Sequence, residues 1–251
     1  MSLEKNFLPA YVISNEDQRW ATSVVPNVKK VLTVTGSGDQ ALFYTIAGAT
    51  TVDTFDITHY ARAIQDIKFA AIKNIPLDEY VQLLNDLRLR FDFIKTPIMQ
   101  KLLPLLPSDT REIINQGQQN YMFCSGLGIT EYYENVPKIP EYIKLRNTLK
   151  KPFNFILCDL GDLSTKISGT YDFINLSNIF DYCYDAETQA QILRDLTEHL
   201  NIGGHTPTDG VTLFRQWDLH SRNAGEIPTM RNGRWWETWL DDGFGREVPH
   251  G

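Results

Sequence analysis

The stretch VLTVTGSGDQALFYTIA, residues 31–47, decides the fold. Val31 to Thr35 form a short β-branched run, Gly36, Ser37, Gly38 and Asp39 make a glycine turn, and the apolar residues that follow have helical character. Working outward, Gly48 and Ala49 lead into TVDTFDI (51–57), a second β-branched run closed by Asp56. From residue 61 to 75, Ile64, Ile67, Ala71, Ile72 and Ile75 recur at helical spacing until Pro76 stops the pattern. The chain therefore opens as strand, helix, strand, helix.

The alternation then lapses. DEYVQLLNDLRLRFDFI (78–94) reads as helix, and no strong strand signal returns before FNFILCDL (153–160), so a mostly helical insertion is expected over about 77–151. YDFINLSNIFDY (171–182) supplies a fourth strand with its loop, and a helix follows from about residue 187 to 200. It carries Ile192, Leu193, Leu196 and Leu200 on one face, and Gly203 and Gly204 end it. VTLFRQW (211–217) reads as a further strand. Strands that alternate with helices imply a mainly parallel sheet covered on both faces, with ligands bound beyond the carboxyl ends of the strands. Thr35 to Asp39, Asp56, Asp159 to Asp162 and Ser177 to Asp181 all fall at such ends.

Gly36, Gly38 and Ala41 satisfy G-x-G-x-x-A, and Asp56 follows at the distance of an acid that accepts both ribose hydroxyls. NAD and S-adenosylmethionine share that requirement, so the pattern alone does not separate them. Asp39 separates them on charge: a carboxylate at the helix N-terminus repels a pyrophosphate and attracts the sulfonium and ammonium of S-adenosylmethionine. The structural alternative for Asp39 is a first-turn acid that complements the helix dipole.

VLTVTGSGDQAL, VDTFDIT, the helix containing IKFAAIK, and YDFINLSNIFDY resemble the aminocarboxypropyltransferases of betaine-lipid synthesis and their bacterial relatives. That family is a branch of the class I S-adenosylmethionine-dependent methyltransferase fold. The resemblance implies a Rossmann-like α/β sheet in a single cofactor-binding domain, 1–251, with the helical insertion after the second strand and its helix. It implies transfer of the 3-amino-3-carboxypropyl group to a small or lipid-like acceptor. Methyl transfer, NAD-dependent oxidoreduction and a non-catalytic cofactor-binding module are the alternatives. By the same resemblance Gly36, Ser37, Gly38 and Asp39 hold the methionine part, Asp56 the ribose, and Asp162 with Gly161 and Leu163 the adenine. Thr35, Ile57, Ser177 and Asn178 complete the candidate cofactor set. Thr33 stands where many methyltransferases carry an acid within the first strand.

Catalysis by alignment of an acceptor with an electrophilic carbon needs few acid or base residues. Asn178, Asp181 and His205 are the candidates near the acceptor. His59, His199, His205, His220 and His250 lack metal-ligand spacing, and Cys124, Cys158 and Cys183 form no CxxC pair, so no metal is expected. A net charge of −7 over 251 residues argues against a nucleic-acid partner. With no long apolar run and no apolar leader, the sequence predicts a cytoplasmic protein without an integral membrane segment. Peripheral membrane contact and oligomeric state stay open.

Overall fold

The computed structural model describes residues 7–14, 16–24, 27–90, 92–116, 133–177, 179 and 186–201, together with the backbone of five further strand segments between 123 and 247. In chain order the strands are β1 (Ala10–Tyr11), β2 (Lys30–Val34), β3 (Thr51–Asp56), β4 (Phe123–Cys124), β5 (Asn154–Leu157), β6 (Phe173–Ser177), β7 (Val211–Phe214), β8 (Ile227–Arg231), β9 (Arg234–Thr238) and β10 (Gly245–Glu247). The helices are α1 (Gln18–Val24), α2 (Asp39–Ala47), α3 (His59–Asn74), α4 (Leu77–Leu89), α5 (Pro97–Leu102), α6 (Ser108–Gln116), α7 (Ile139–Thr148), α8 (Leu163–Lys166) and α9 (Ala186–Thr197).

The main sheet runs β10-β9-β8-β7-β6-β2-β3-β5. Its five strands from β5 to β7 are mutually parallel. Renumbered by chain position, these five lie in the order 3-2-1-4-5, the Rossmann-like arrangement the sequence predicts, with its switch point between β2 and β6. Beyond β7 the chain doubles back: β8, β9 and β10 are antiparallel to their neighbours. The sequence reading ends its strands at VTLFRQW and assigns none to the Gly-, Arg- and Trp-rich tail that follows.

Period-two alternation in the buried strands sends neighbours to opposite faces. Val31 and Phe173 join Ala41 and Tyr44 on the α2 side, whereas Leu32 and Ile174 join Leu163, Ile192 and Leu196 on the α8–α9 side. Strands covered on both faces carry continuous apolar runs, and for that reason VLTVT and FINLS are legible as strands.

Helices α4 to α7 occupy the segment between β3 and β5. They pack on α3, and α7 also on α2, as an outer layer whose core includes Tyr80, Leu83, Met99, Ile114 and Leu145. Among the described residues, the insertion helices thus lie against α3, and β4 of the same segment joins β1 near the carboxyl ends of the strands. α3 presents an apolar face through Ala63, Ile64, Ile67 and Ala71, and the insertion helices bury their own apolar stripes there. What covers the strand ends is the N-terminal segment, whose β1 pairs in parallel with β4.

Candidate functional site

A cavity of about 400 Å³ opens at the carboxyl ends of β2, β3, β5 and β6. That size falls within the range of small-molecule sites. Its floor comes from the strand ends and its roof from Leu8, Pro9, Ala10, Tyr11 and Ser14, with Glu16 at one end.

The glycine turn forms the middle of the floor. Gly38 caps α2 with φ +81°, and a Cβ there would lie 3.1 Å from the Gln65 backbone, so the position requires glycine for both reasons. Gly36 has φ +50°, and its N–H donates to Asp56 Oδ2 at 3.0 Å. Asp56 Oδ1 accepts from Thr58 N–H at 3.2 Å. The turn and the acid therefore hold each other in place at the adjacent ends of β2 and β3. Burial pushes the Asp56 carboxyl up to about 6, against the opposing pull of the N–H donors of Gly36, Thr58 and Ile57.

Of the sequence-derived cofactor residues, Gly36, Ser37, Asp56, Ile57 and Ser177 line the cavity. Six others do not. Thr35 binds β2 to β3 through N–H and Oγ1 bonds to Phe55 O, at 2.8 and 3.1 Å. Gly38 serves the α2 cap. Leu163 is buried in the core against α9, while Gly161 and Asp162 are exposed. Asp162 starts α8 and turns outward, so the residues that reach the cavity from β5 are Cys158, Asp159 and Leu160. Asp159 Oδ1 accepts from Gly161 N–H at 3.0 Å, which fixes the loop.

Asp39 requires the largest correction. It is 2% exposed and forms an ion pair with Lys68 of α3, itself 1% exposed. The same carboxylate accepts from Ser14 N–H at 2.8 Å and Ser37 Oγ at 2.9 Å. Its charge is thus paired inside the protein, and Asp39 is not among the described residues that line the cavity. The sequence could not show this because Lys68 is 29 positions away and is one of several charged residues of the amphipathic helix α3. Asn178, Asp181 and His205 lie outside the described residues.

Glu16 is the acid that reading the sequence overlooks. It is 6% exposed and lines the cavity. Ser177 Oγ donates to Glu16 Oε1 at 2.6 Å, and Gln40 Nε2 points at Oε2 from 3.4 Å. Thr33 Oγ1 donates to Gln40 Oε1, which orients that amide. Ser177 adopts φ +54° where the β6–β7 register shifts, and its N–H donates to Asn175 Oδ1 at 2.8 Å. Such a left-handed, non-glycine residue beside a cavity is typical of functional strand ends. Nothing local marks Glu16 in SNEDQR: its position comes from the path of the N-terminal segment.

The cavity thus presents three carboxylates, Glu16, Asp56 and Asp159, and no Lys, Arg or His among the described lining residues. Burial raises the Cys158 thiol to about 11, assisted by Asp159 and Asp162, so it contributes apolar surface rather than a thiolate. No group of three metal-ligating side chains occurs among the described residues, and no described helix is long and apolar enough to cross a membrane.

If Asp56 accepts ligand hydroxyls as a carboxylate, its raised pKa makes binding pH-dependent. Its folded-state value of about 6 lies above the ordinary 3.8, so the protonated, non-accepting form dominates below about pH 6. Affinity for an adenosine-containing ligand is expected to be about tenfold weaker at about pH 5 than at about pH 7.5, and Asp56→Asn should abolish that step. A pH-independent affinity, measured by titration calorimetry, would remove Asp56 from the ligand.

The sequence matches no protein-family model and no curated protein. Among solved structures, the chain is similar to the rRNA methyltransferase aviRa from Streptomyces viridochromogenes at TM-score 0.44 and 13% identity, covering 90% of this chain and 86% of that one. It is similar to the glycopeptide N-methyltransferase MtfA complexed with S-adenosyl-L-methionine at TM-score 0.37 and 12% identity, covering 98% and 68%. An rRNA methylase from Streptococcus thermophilus aligns at TM-score 0.33 and 9% identity, covering 80% and 69%.

Proposed function

We propose that the protein is an S-adenosylmethionine-dependent group transferase. The charge of the cavity carries this reading: carboxylates alone line it among the described ionised groups, which suits a ligand bearing a sulfonium and an ammonium and opposes a pyrophosphate. At the N-terminus of α2, where a dinucleotide places its phosphates, the Gly38 N–H is already bonded to Thr35 O and the Asp39 N–H to Ser37 Oγ. The antiparallel return after β7 also departs from the sixth parallel strand of the dinucleotide fold. Both features weigh against the NAD alternative.

In this reading Asp56 accepts the ribose hydroxyls, while Asp159 and Leu160 border the adenine. The bound cofactor would supply an electrophilic carbon beside its sulfonium. The chain's own residues align the ligand and exclude water: the apolar roof of Leu8, Pro9 and Ala10 and the floor of Val34, Phe55 and Ile57 do the latter. The leaving thioether needs no proton, which agrees with the lack of an acid–base dyad among the lining residues.

Within that class, transfer of the 3-amino-3-carboxypropyl group to a small or lipid-like acceptor rests on the resemblance of VLTVTGSGDQAL and YDFINLSNIFDY; methyl transfer is its alternative. Equilibrium binding followed by product analysis tests the proposal. S-adenosylmethionine is expected to bind saturably and NAD not at all. Turnover with an extract of small molecules and lipids should release methylthioadenosine; S-adenosylhomocysteine would replace the aminocarboxypropyl reading with methyl transfer. Saturable NAD binding without S-adenosylmethionine binding would overturn the class.

A further inference from the structure

The sheet order separates the cavity's acids. β3 and β6 flank β2 on opposite sides, and β5 lies beyond β3. Asp56 ends β3 and Asp159 follows β5, so both stand on one side of the glycine turn. Glu16 stands on the other, bonded to Ser177 at the end of β6 and within reach of Gln40 in the first turn of α2. A ligand whose ribose meets Asp56 and whose base extends over β5 must direct its remaining end toward β6. There it meets Glu16.

We propose that Glu16 is the specificity-determining carboxylate that recognises the ligand's α-ammonium, delivered by the N-terminal segment to a site whose first strand offers only Thr33. The inference rests on the S-adenosylmethionine reading and names a residue that reading does not require. Three observations support it. Glu16 is almost wholly buried and lines the cavity on the β6 side of the glycine turn, where it joins Asp56 and Asp159 in giving the described lining residues an acidic character suited to a cationic ligand. Its carboxylate is oriented from two strands at once, by Ser177 directly and by Thr33 through Gln40. Its backbone is anchored as well: Asn135 Nδ2 donates to Glu16 O at 2.6 Å and to Ser14 O at 3.1 Å, while Asn135 Oδ1 accepts from Gln18 N–H at 3.1 Å. Asn135 belongs to the insertion, so this segment helps to hold Glu16 in place. Thr58 Oγ1, bonded to Leu8 O at 2.6 Å, pins the far end of the same N-terminal segment.

Calorimetric titration of the full chain and Glu16→Gln with three ligands tests the inference. S-adenosylmethionine and S-adenosylhomocysteine both carry the ammonium, and methylthioadenosine lacks it. Glu16→Gln is expected to weaken the first two by roughly ten- to hundredfold and to leave methylthioadenosine within about twofold, as for loss of one hydrogen bond to a charged group. A loss confined to S-adenosylmethionine would assign Glu16 to the sulfonium and overturn the ammonium assignment. Equal losses for all three, or none, would remove Glu16 from recognition while leaving the cofactor reading intact. Wild-type protein that binds none of the three would overturn that reading and the inference together. Should Glu16→Gln fail to fold by circular dichroism, Ser177→Ala decides: the same ligand selectivity at smaller size supports the proposal, and an unselective effect overturns it.

Discussion

Lys68→Met is expected to destabilise the protein by about 3–5 kcal/mol, because it leaves the Asp39 carboxylate buried without its cation. For a chain of this length that loss corresponds to a fall in Tm on the order of 10 °C. The pair joins α2 to α3, and Asp39 also accepts from Ser14 N–H, so the same substitution should loosen the N-terminal segment. Two neutral residues of similar shape avoid the uncompensated charge. The double variant Lys68→Met with Asp39→Asn should therefore recover much of the loss. Thermal unfolding of wild type, both single variants and the double variant measures the coupling directly. Additive effects, or a Lys68→Met protein as stable as wild type, would show that the pair is not the buried anchor described here.

Asp56→Ala is expected to weaken binding of S-adenosylmethionine, S-adenosylhomocysteine and methylthioadenosine alike, by about 1.5–3 kcal/mol each, since all three share the ribose. This uniform loss distinguishes Asp56 from Glu16, whose substitution should spare the ligand without an ammonium. Stability responds in the opposite sense. Asp56 binds its proton more tightly in the folded state, near 6, than the ordinary 3.8, so its ionisation costs stability as pH rises between these values. Removing the carboxyl relieves that desolvation but also takes away the acceptor for Gly36 and Thr58 N–H groups. A folded Asp56→Ala protein with unchanged affinity for all three ligands would place the ribose elsewhere.

Particular residues show what was legible without coordinates. The run VLTVT, the turn around Gly36 and Gly38, and Asp56 at the end of TVDTFD announce a strand, a turn and an acid at the neighbouring strand end, because each depends on neighbours close in the chain: side-chain period, backbone freedom at positive φ, and position at a strand end. The β-α alternation then implies a parallel sheet with its ligand at one edge, and Gly36, Ser37, Asp56, Ile57 and Ser177 are found there.

The partners of charged residues were not legible. Asp39 in the turn looks like a ligand-facing acid, and only packing of α3 against α2 brings Lys68 to it. The resemblance favours Asp162 over Asp159, yet the outward turn into α8 points Asp159 to the cavity and Asp162 to solvent. Glu16 carries no local signal at all. Composition and periodicity thus determined that this chain builds a doubly wound sheet with a glycine turn and an acid beside it. Tertiary structure alone decided which carboxylates face the cavity, because a charge acquires its role from groups distant in sequence that neutralise it, bond to it or leave it turned toward a ligand.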